Sequence, residues 1–228
     1  MRGLFISATG TGVGKTFVTR GLAAAMHASG RRVAALKPME TGVSDLDRSD
    51  AALLARACGR PELADYPGFY RAKLGVAPYA AQLEGEPAPP PVRALVDAVH
   101  HAARGSEFAL VEGAGGLLVP IDRRQTMADL VAALGLPLVL VAPNALGVLS
   151  HVLTAAESAR SRGIELRALV LVDPAQPGDE LSMRTNAKIL DERLGTPVFE
   201  FPHVQDADEA LAQAANTSSL VDLLLDSR

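Results

Sequence analysis

Short, continuously apolar runs rich in Val, Leu and Ile recur along the chain, separated by longer stretches in which apolar residues return every three or four positions. A strand with one wet face alternates apolar and polar residues, whereas one that is apolar throughout is buried on both faces, as in a parallel sheet covered by helices. The runs predict strands over 2–7, 32–37, 108–112, 138–142, 166–172 and 198–201. Helical spacing predicts helices over 17–29, 50–58, 92–103, 128–134, 149–162 and 181–194, with a short helical tail near 220–225. Thr126 followed by Asp129 makes a capping-box pattern for the fourth helix, and the proline-rich 87–91 is a stiff connector before the third. The alternation of the two periods predicts an α/β fold with a mostly parallel β-sheet and helices on both faces.

In such sheets ligands collect at the carboxyl ends of the strands, which ranks the polar residues. The first predicted strand runs into Thr9, Gly10, Thr11, Gly12, Val13, Gly14, Lys15 and Thr16. A glycine-rich turn between strand and helix aims backbone N–H groups and a helix N-terminus at one point, where a triphosphate can sit. Lys15 would reach the outer phosphates and the Thr16 hydroxyl would ligate Mg²⁺. A strict Walker pattern counted back from Gly14 needs glycine at position 9, where this chain has Thr9. The fold class is therefore read as P-loop NTPase-like.

Lys37 leaves the second predicted strand and is followed by Pro38, Thr41 and Gly42. It reads either as a strand-end lysine snorkelling to water or as a second cation that offsets charge on a transferred phosphoryl group. Ser49 can cap the helix that Asp50 opens, and Asp50 is favourable against the helix dipole whatever its function. Glu112 ends an apolar strand immediately before Gly113, Ala114, Gly115 and Gly116. A carboxylate there suits an Mg²⁺ ligand in an oxygen shell shared with Thr16 and phosphate.

Composition narrows the classes. A chain of 228 residues without internal repeats is read as a single domain spanning 1–228. A formal charge of −4 gives no basic surplus for sequence-independent binding of nucleic acid. Cys58 is the one cysteine, so no intrachain disulfide forms, and its apolar surroundings predict a buried small hydrophobe in a reducing, cytoplasmic setting. The first residues already build the phosphate-loop strand, leaving no room for a cleavable signal, and no apolar run approaches a membrane span.

Taken in order, these segments resemble the ATP-dependent dethiobiotin synthetase family. The resemblance lies in the turn from Thr9 to Thr16, Lys37-Pro38 through Thr41-Gly42, Ser49-Asp50, Val111 through Gly116, and Leu146 through His151. The stretch from Ala77-Pro78 to Glu84-Gly85 is similar as well. The resemblance implies condensation of 7,8-diaminononanoate with CO₂ and ATP into dethiobiotin, in biotin biosynthesis. One amine takes up CO₂ as a carbamate, the carbamate attacks the γ-phosphorus, and the second amine closes the ring with loss of phosphate. ATP is the co-substrate and Mg²⁺ the cofactor.

Carried onto this chain, the resemblance gives Thr11, Lys15 and Lys37 the task of orienting carbamate and γ-phosphate, and Thr41 a contact to the diamine. Thr16, Asp50 and Glu112 would hold Mg²⁺, with Gly113, Ala114 and Gly115 lining the phosphate side. Gly12, Val13, Gly14 and Phe17 complete the nucleotide loop; Val172, Asp173, Pro202, His203, Val204 and Glu209 fall where the family encloses base and ribose. The family is a homodimer, and Leu146, Gly147 and Ser150 at a helix start would serve the substrate carboxylate of the other subunit. Three positions depart from the pattern: Ala8 where glycine is common, Val172 where asparagine often reads the adenine edge, and Arg184, after the Pro177-Gly178 turn, where some relatives have tyrosine. Valine can neither donate nor accept a hydrogen bond, so other nucleoside triphosphates are expected to support turnover. Arg184 could pair with the substrate carboxylate or face solvent. The alternative class is an ATPase switch of chromosome partitioning or septum placement, which shares the deviant loop but acts on a protein partner.

Overall fold

A computed structural model describes residues 1–176 and 180–225; the Pro177-Gly178 turn lies outside the described residues. The chain runs through β1 (Gly3–Ala8), α1 (Lys15–Ala28), β2 (Val33–Leu36), β3 (Met39–Thr41), α2 (Asp50–Ala57), β4 (Tyr70–Ala72), α3 (Pro78–Leu83), α4 (Val92–Ala102) and β5 (Phe108–Glu112). It continues through α5 (Met127–Leu134), β6 (Leu138–Pro143), α6 (Val148–Arg160), β7 (Leu166–Val172), α7 (Glu180–Leu194), β8 (Val198–Phe201), α8 (Asp208–Thr217) and α9 (Leu220–Leu225). All six strands expected from the apolar runs are present, each end within one residue of its expected place. Two three-residue strands, β3 and β4, and the helices α3 and α8 are additions that the pattern did not predict.

The main sheet has the order β2-β5-β1-β6-β7-β8, with every pairing parallel. β1 and β5 are buried along their whole length and β6 up to its last residue, which is why they read as unbroken apolar runs. Alternate residues of β6 and β7 divide between two clusters: Leu140, Leu169 and Leu171 pack with Val148, Val152 and Leu190 of α6 and α7. Val139, Val141, Ala168 and Val170 face the opposite side, in the cluster that holds Val18, Leu22 and Leu211 of α1 and α8. Helices therefore cover both faces. The two short strands form a separate parallel pair, with Glu40 in register with Arg71.

Several local expectations hold. Ser49 Oγ accepts from the Ala52 N–H at 3.1 Å and caps α2. Asp129 accepts from the Thr126 N–H at 2.6 Å, closing the capping box of α5. Cys58 is buried and donates to the Ala55 carbonyl. No helix of the described residues is long and apolar enough to cross a membrane.

Arginine side chains gather at the opposite, amino-terminal rim of the sheet, where α1, α2 and α4 end. Arg60 donates to the Ala102 carbonyl at 3.4 Å and to Ser106 Oγ at 2.8 Å. Arg60 there answers an orphan carbonyl at the negative end of α4, while Arg31 and Arg32 pair with Glu107.

Candidate active site

The strand order places β1 between β5 and β6, and the chain steps to one side of β1 for β2 and β5 and to the other for β6, β7 and β8. The loop after β1 thus opens on a crevice at the point where the order reverses, the expected ligand position in an open α/β sheet. A cavity of about 800 Å³ lies there. One end is lined by Lys37, Glu40, Thr41, Asp50 and the 75–78 loop; the other by Val172, Asp173, Phe201, Pro202, His203 and Val204; the loop from Thr11 to Phe17 runs between them.

The loop is built as its glycines require. Gly12 and Gly14 have φ of 72° and 99°, in the left-handed region that L side chains rarely adopt. A Cβ on Gly14 would also lie 3.0 Å from both methyls of Val172, so loop and β7 are in close contact. Ala8 is the last residue of β1 and does not have positive φ, so the methyl that stands in place of the family's glycine causes no backbone strain. Lys15 is buried and its ammonium donates to the Gly10 carbonyl at 3.1 Å, curling back over the loop. Burial draws its pKa down to about 8, against the pull of Glu112.

Behind the loop sits a compact charge cluster. Glu112 is fully buried at the end of β5 and accepts from Thr16 Oγ1 at 2.9 Å and from the Lys37 ammonium. Lys37 also donates to Asp50 Oδ2 at 2.9 Å. Burial disfavours the Lys37 ammonium, but Glu112 and Asp50 outweigh it and hold the group above the ordinary lysine range. Burial likewise opposes the Asp50 carboxylate, and Lys37, Thr16 and Lys15 keep it below its usual value. Lys37 is only 4% exposed, so of its two readings the snorkelling lysine is excluded. Four residues, from α1, the β2–β3 connection, α2 and β5, meet within hydrogen-bond reach.

This donor set fits a hard divalent cation. Glu112 Oε2 is buried with no hydrogen-bond partner, an acceptor left open in a place where orphaned polar atoms are costly. With Thr16 and Asp50 it offers two carboxylates and a hydroxyl. No group of three or more His, Cys, Asp or Glu arranged for metal exists among the described residues, and a cation completed by phosphate oxygens and water is the usual magnesium arrangement.

Of the remaining residues singled out from the sequence, Ala114 and Gly115 line the cavity. Gly113 is packed so closely that a Cβ would come within 2.9 Å of the Phe5 ring. Glu209 is exposed in the first turn of α8 and outside the cavity lining, and Arg184 is exposed on α7. Leu146, Gly147 and Ser150 also lie outside the cavity; Leu146 is 80% exposed, and Gly147 caps α6 with φ of 90°. Sequence reasoning missed Glu40 and Val119, which line the cavity. Glu40 lies within the segment from Lys37 to Gly42, but nothing in the sequence assigns it a role of its own; its buried position follows from the pairing of β3 with β4 and from the α2 amides set against it.

Residues 2–209 match a family model described as an AAA domain. The chain is 40% identical to the ATP-dependent dethiobiotin synthetase of Caulobacter vibrioides, over 99% of this chain and 100% of that one. It is 40% identical to the enzyme of the same name from Anaeromyxobacter sp., over 92% and 93% of the two chains. The chain belongs to the dethiobiotin synthetase family. A third synthetase of that name, from Aquifex aeolicus, is 35% identical over 90% of each chain. Among solved structures, the cell division ATPase MinD of Pyrococcus furiosus superposes with a TM-score of 0.55 at 18% identity, over 97% of this chain and 100% of that one. A ParA family ATPase from Chlorobium tepidum gives 0.53 at 16%, over 99% and 97%. At those identities the two ATPases share the fold with the synthetase family, and the switch function of the alternative reading gains nothing from them.

Proposed function

We propose that the protein is a cytoplasmic, single-domain enzyme that uses ATP to join CO₂ to 7,8-diaminononanoate and close the ureido ring of dethiobiotin. The observation that carries this reading is that Lys15, Thr16, Lys37 and Asp50 line a cavity roomy enough for a nucleotide and a small acyclic substrate, with Glu112 buried behind them and bonded to Thr16 and Lys37. Cationic groups aimed at a phosphoryl group, without a nucleophile of the protein's own, suit a reaction in which both partners come from solution.

One amine of the diamine adds to CO₂ and loses a proton, giving a carbamate. The carbamate oxygen attacks the γ-phosphorus and ADP departs. The second amine then attacks the carbamoyl carbon, phosphate leaves with the C–O bond, and a second proton is lost to solvent. Lys15 and Lys37 would flank the phosphoryl oxygens, Thr11 would orient them, and Thr41 would contact the diamine. Thr16, Asp50 and Glu112 would hold Mg²⁺, which when bound neutralises charge on the phosphates. Val172, with only methyl groups to offer the base, supports the use of other nucleoside triphosphates beside ATP.

The exposed start of α6 supports a homodimer in which Leu146, Gly147 and Ser150 of one protomer complete the diamine site of its partner, with backbone N–H groups facing the carboxylate. Incubation with diaminononanoate, bicarbonate, Mg²⁺ and each nucleoside triphosphate tests the reading. Phosphate release that depends on the diamine and accompanies a ureido product is expected; nucleotide hydrolysis indifferent to the diamine would overturn it.

A further inference from the structure

We propose that Glu40 and Arg71 are positioning residues for phosphoryl transfer, a cross-strand pair that fixes the backbone carrying Asp50 and Lys37. This rests on the roles assigned above to those two residues. Glu40 is 7% exposed on β3, and both its oxygens are taken by α2: the Asp50 N–H donates to Oε1 at 2.7 Å and the Ala51 N–H to Oε2 at 3.0 Å. Arg71, its register partner on β4, donates from Nη1 to the Lys37 carbonyl at 2.9 Å and the Tyr70 carbonyl at 2.8 Å, and from Nη2 to the Ala64 carbonyl at 2.7 Å. Neither side chain hydrogen-bonds the other, although Arg71 feels the charge of Glu40 and Glu40 that of Lys37.

A pair kept for the stability of a three-residue sheet would be served by apolar side chains, because removing two charges from water costs more than such a sheet returns. What the charges do here is local. The Glu40 carboxylate caps the first two N–H groups of α2, one of them belonging to Asp50, so the carboxylate of Asp50 leaves a backbone that cannot fray. The Arg71 guanidinium grips the carbonyl of Lys37, whose ammonium meets Asp50 at 2.9 Å. The backbones that carry Asp50 and Lys37 are thus held in place, by Glu40 on the cavity wall and by Arg71 behind it.

The roles separate experimentally: Glu40 acts through a proposed metal ligand, Arg71 through the catalytic lysine. Binding of a fluorescent ATP analogue is titrated with Mg²⁺ in the full chain, and steady-state turnover is measured in parallel. Glu40→Ala should raise the Mg²⁺ needed for half-maximal binding about tenfold, with binding in EDTA and the diamine KM each within about threefold. Glu40→Gln, which keeps one acceptor oxygen, should recover most of that loss. Arg71→Met should lower kcat about tenfold or more while the Mg²⁺ midpoint stays within about twofold. Should either first variant not fold, Glu40→Gln and Arg71→Lys are read for the same two quantities at smaller amplitude. An unchanged Mg²⁺ midpoint in folded Glu40 variants, or losses that track only a lowered Tm, overturns the proposal. If the wild type makes no dethiobiotin, the synthetase reading fails instead, and the Mg²⁺ titration, which needs no diamine, still decides the clamp.

Discussion

At the scale of single residues, the site is a contest between burial and pairing. Lys37 keeps its proton although buried because two carboxylates face it; in the working enzyme that retained charge is available to the transferred phosphoryl group. Lys37→Gln should therefore leave nucleotide binding nearly intact and lower kcat by about two to three orders of magnitude, as expected for a group whose stabilisation appears in the transition state. Turnover within about threefold of wild type would remove Lys37 from the mechanism. The base end offers a second test. Val172 presents methyls to the cavity and to Gly14, so nothing at that position reads a hydrogen-bonding edge. Val172→Asn, similar in volume, should raise the kcat/KM preference for ATP over the other triphosphates about tenfold, the worth of one or so net hydrogen bond. Comparable losses for GTP, CTP and UTP in the wild type would show that discrimination comes from elsewhere. Lys37 was legible in the sequence because it ends an apolar strand, and Val172, the last residue of β7, through the resemblance, which often has asparagine there. Glu40 was not, since a lone acid in a short loop acquires meaning only when the amides of a helix ten residues on are brought against it.

Among the elements, α1 is the one that ties phosphate loop, sheet and α8 together. It is buried along most of its length, and at Gly21 it approaches α8 so closely that a Cβ would lie 2.6 Å from the Leu211 carbonyl oxygen. Gly21→Ala cannot be relieved by rotating a side chain, because the obstacle is backbone. It should cost about 1–3 kcal/mol through overpacking, which for a chain of this size lowers Tm by roughly 2–12 °C; an unchanged Tm would mean that the helices part freely. One residue earlier, buried Arg20 pairs with Asp206 and, at 2.8 Å, with Asp208, tying the start of α8 and the loop that carries Pro202, His203 and Val204 to the nucleotide helix. Arg20→Met, which keeps the aliphatic stem and leaves both aspartates wet, should raise the ATP KM about three- to tenfold with kcat little changed. Equal loss in kcat would assign Arg20 to chemistry. The main strands were readable because burial on both faces leaves a continuous apolar run, and α1, α4 and α6 because one face repeats. The short β3 and β4 were not: Met39-Glu40-Thr41 and Tyr70-Arg71-Ala72 are too brief for any period and each carries a charge at its centre. The alanine-rich α8 was missed for a different reason, since small residues on both faces blur the apolar stripe that marks a helix.

For the whole molecule, the question is what completes the cavity. Its lining is contributed largely by loops at the carboxyl ends of the strands, yet the exposed turn at Leu146 and the start of α6 are not part of that lining within one chain. If that turn serves a partner's diamine site, each site draws its lysine from one chain and its carboxylate-binding segment from the other. Two defective variants then rescue one another. Mixing Lys37→Gln with a chain whose turn is disabled by Leu146→Asp and Ser150→Glu gives heterodimers with one doubly defective site and one wholly intact site. With random exchange, half the dimers are mixed and half their sites work, so the mixture should recover about one quarter of wild-type activity although each variant alone is nearly inactive. Recovery requires a composite site, because chains that each contain a complete site cannot repair one another by association. No recovery after verified subunit exchange would place the whole diamine site within one chain, and the apolar turn would then need another occupant.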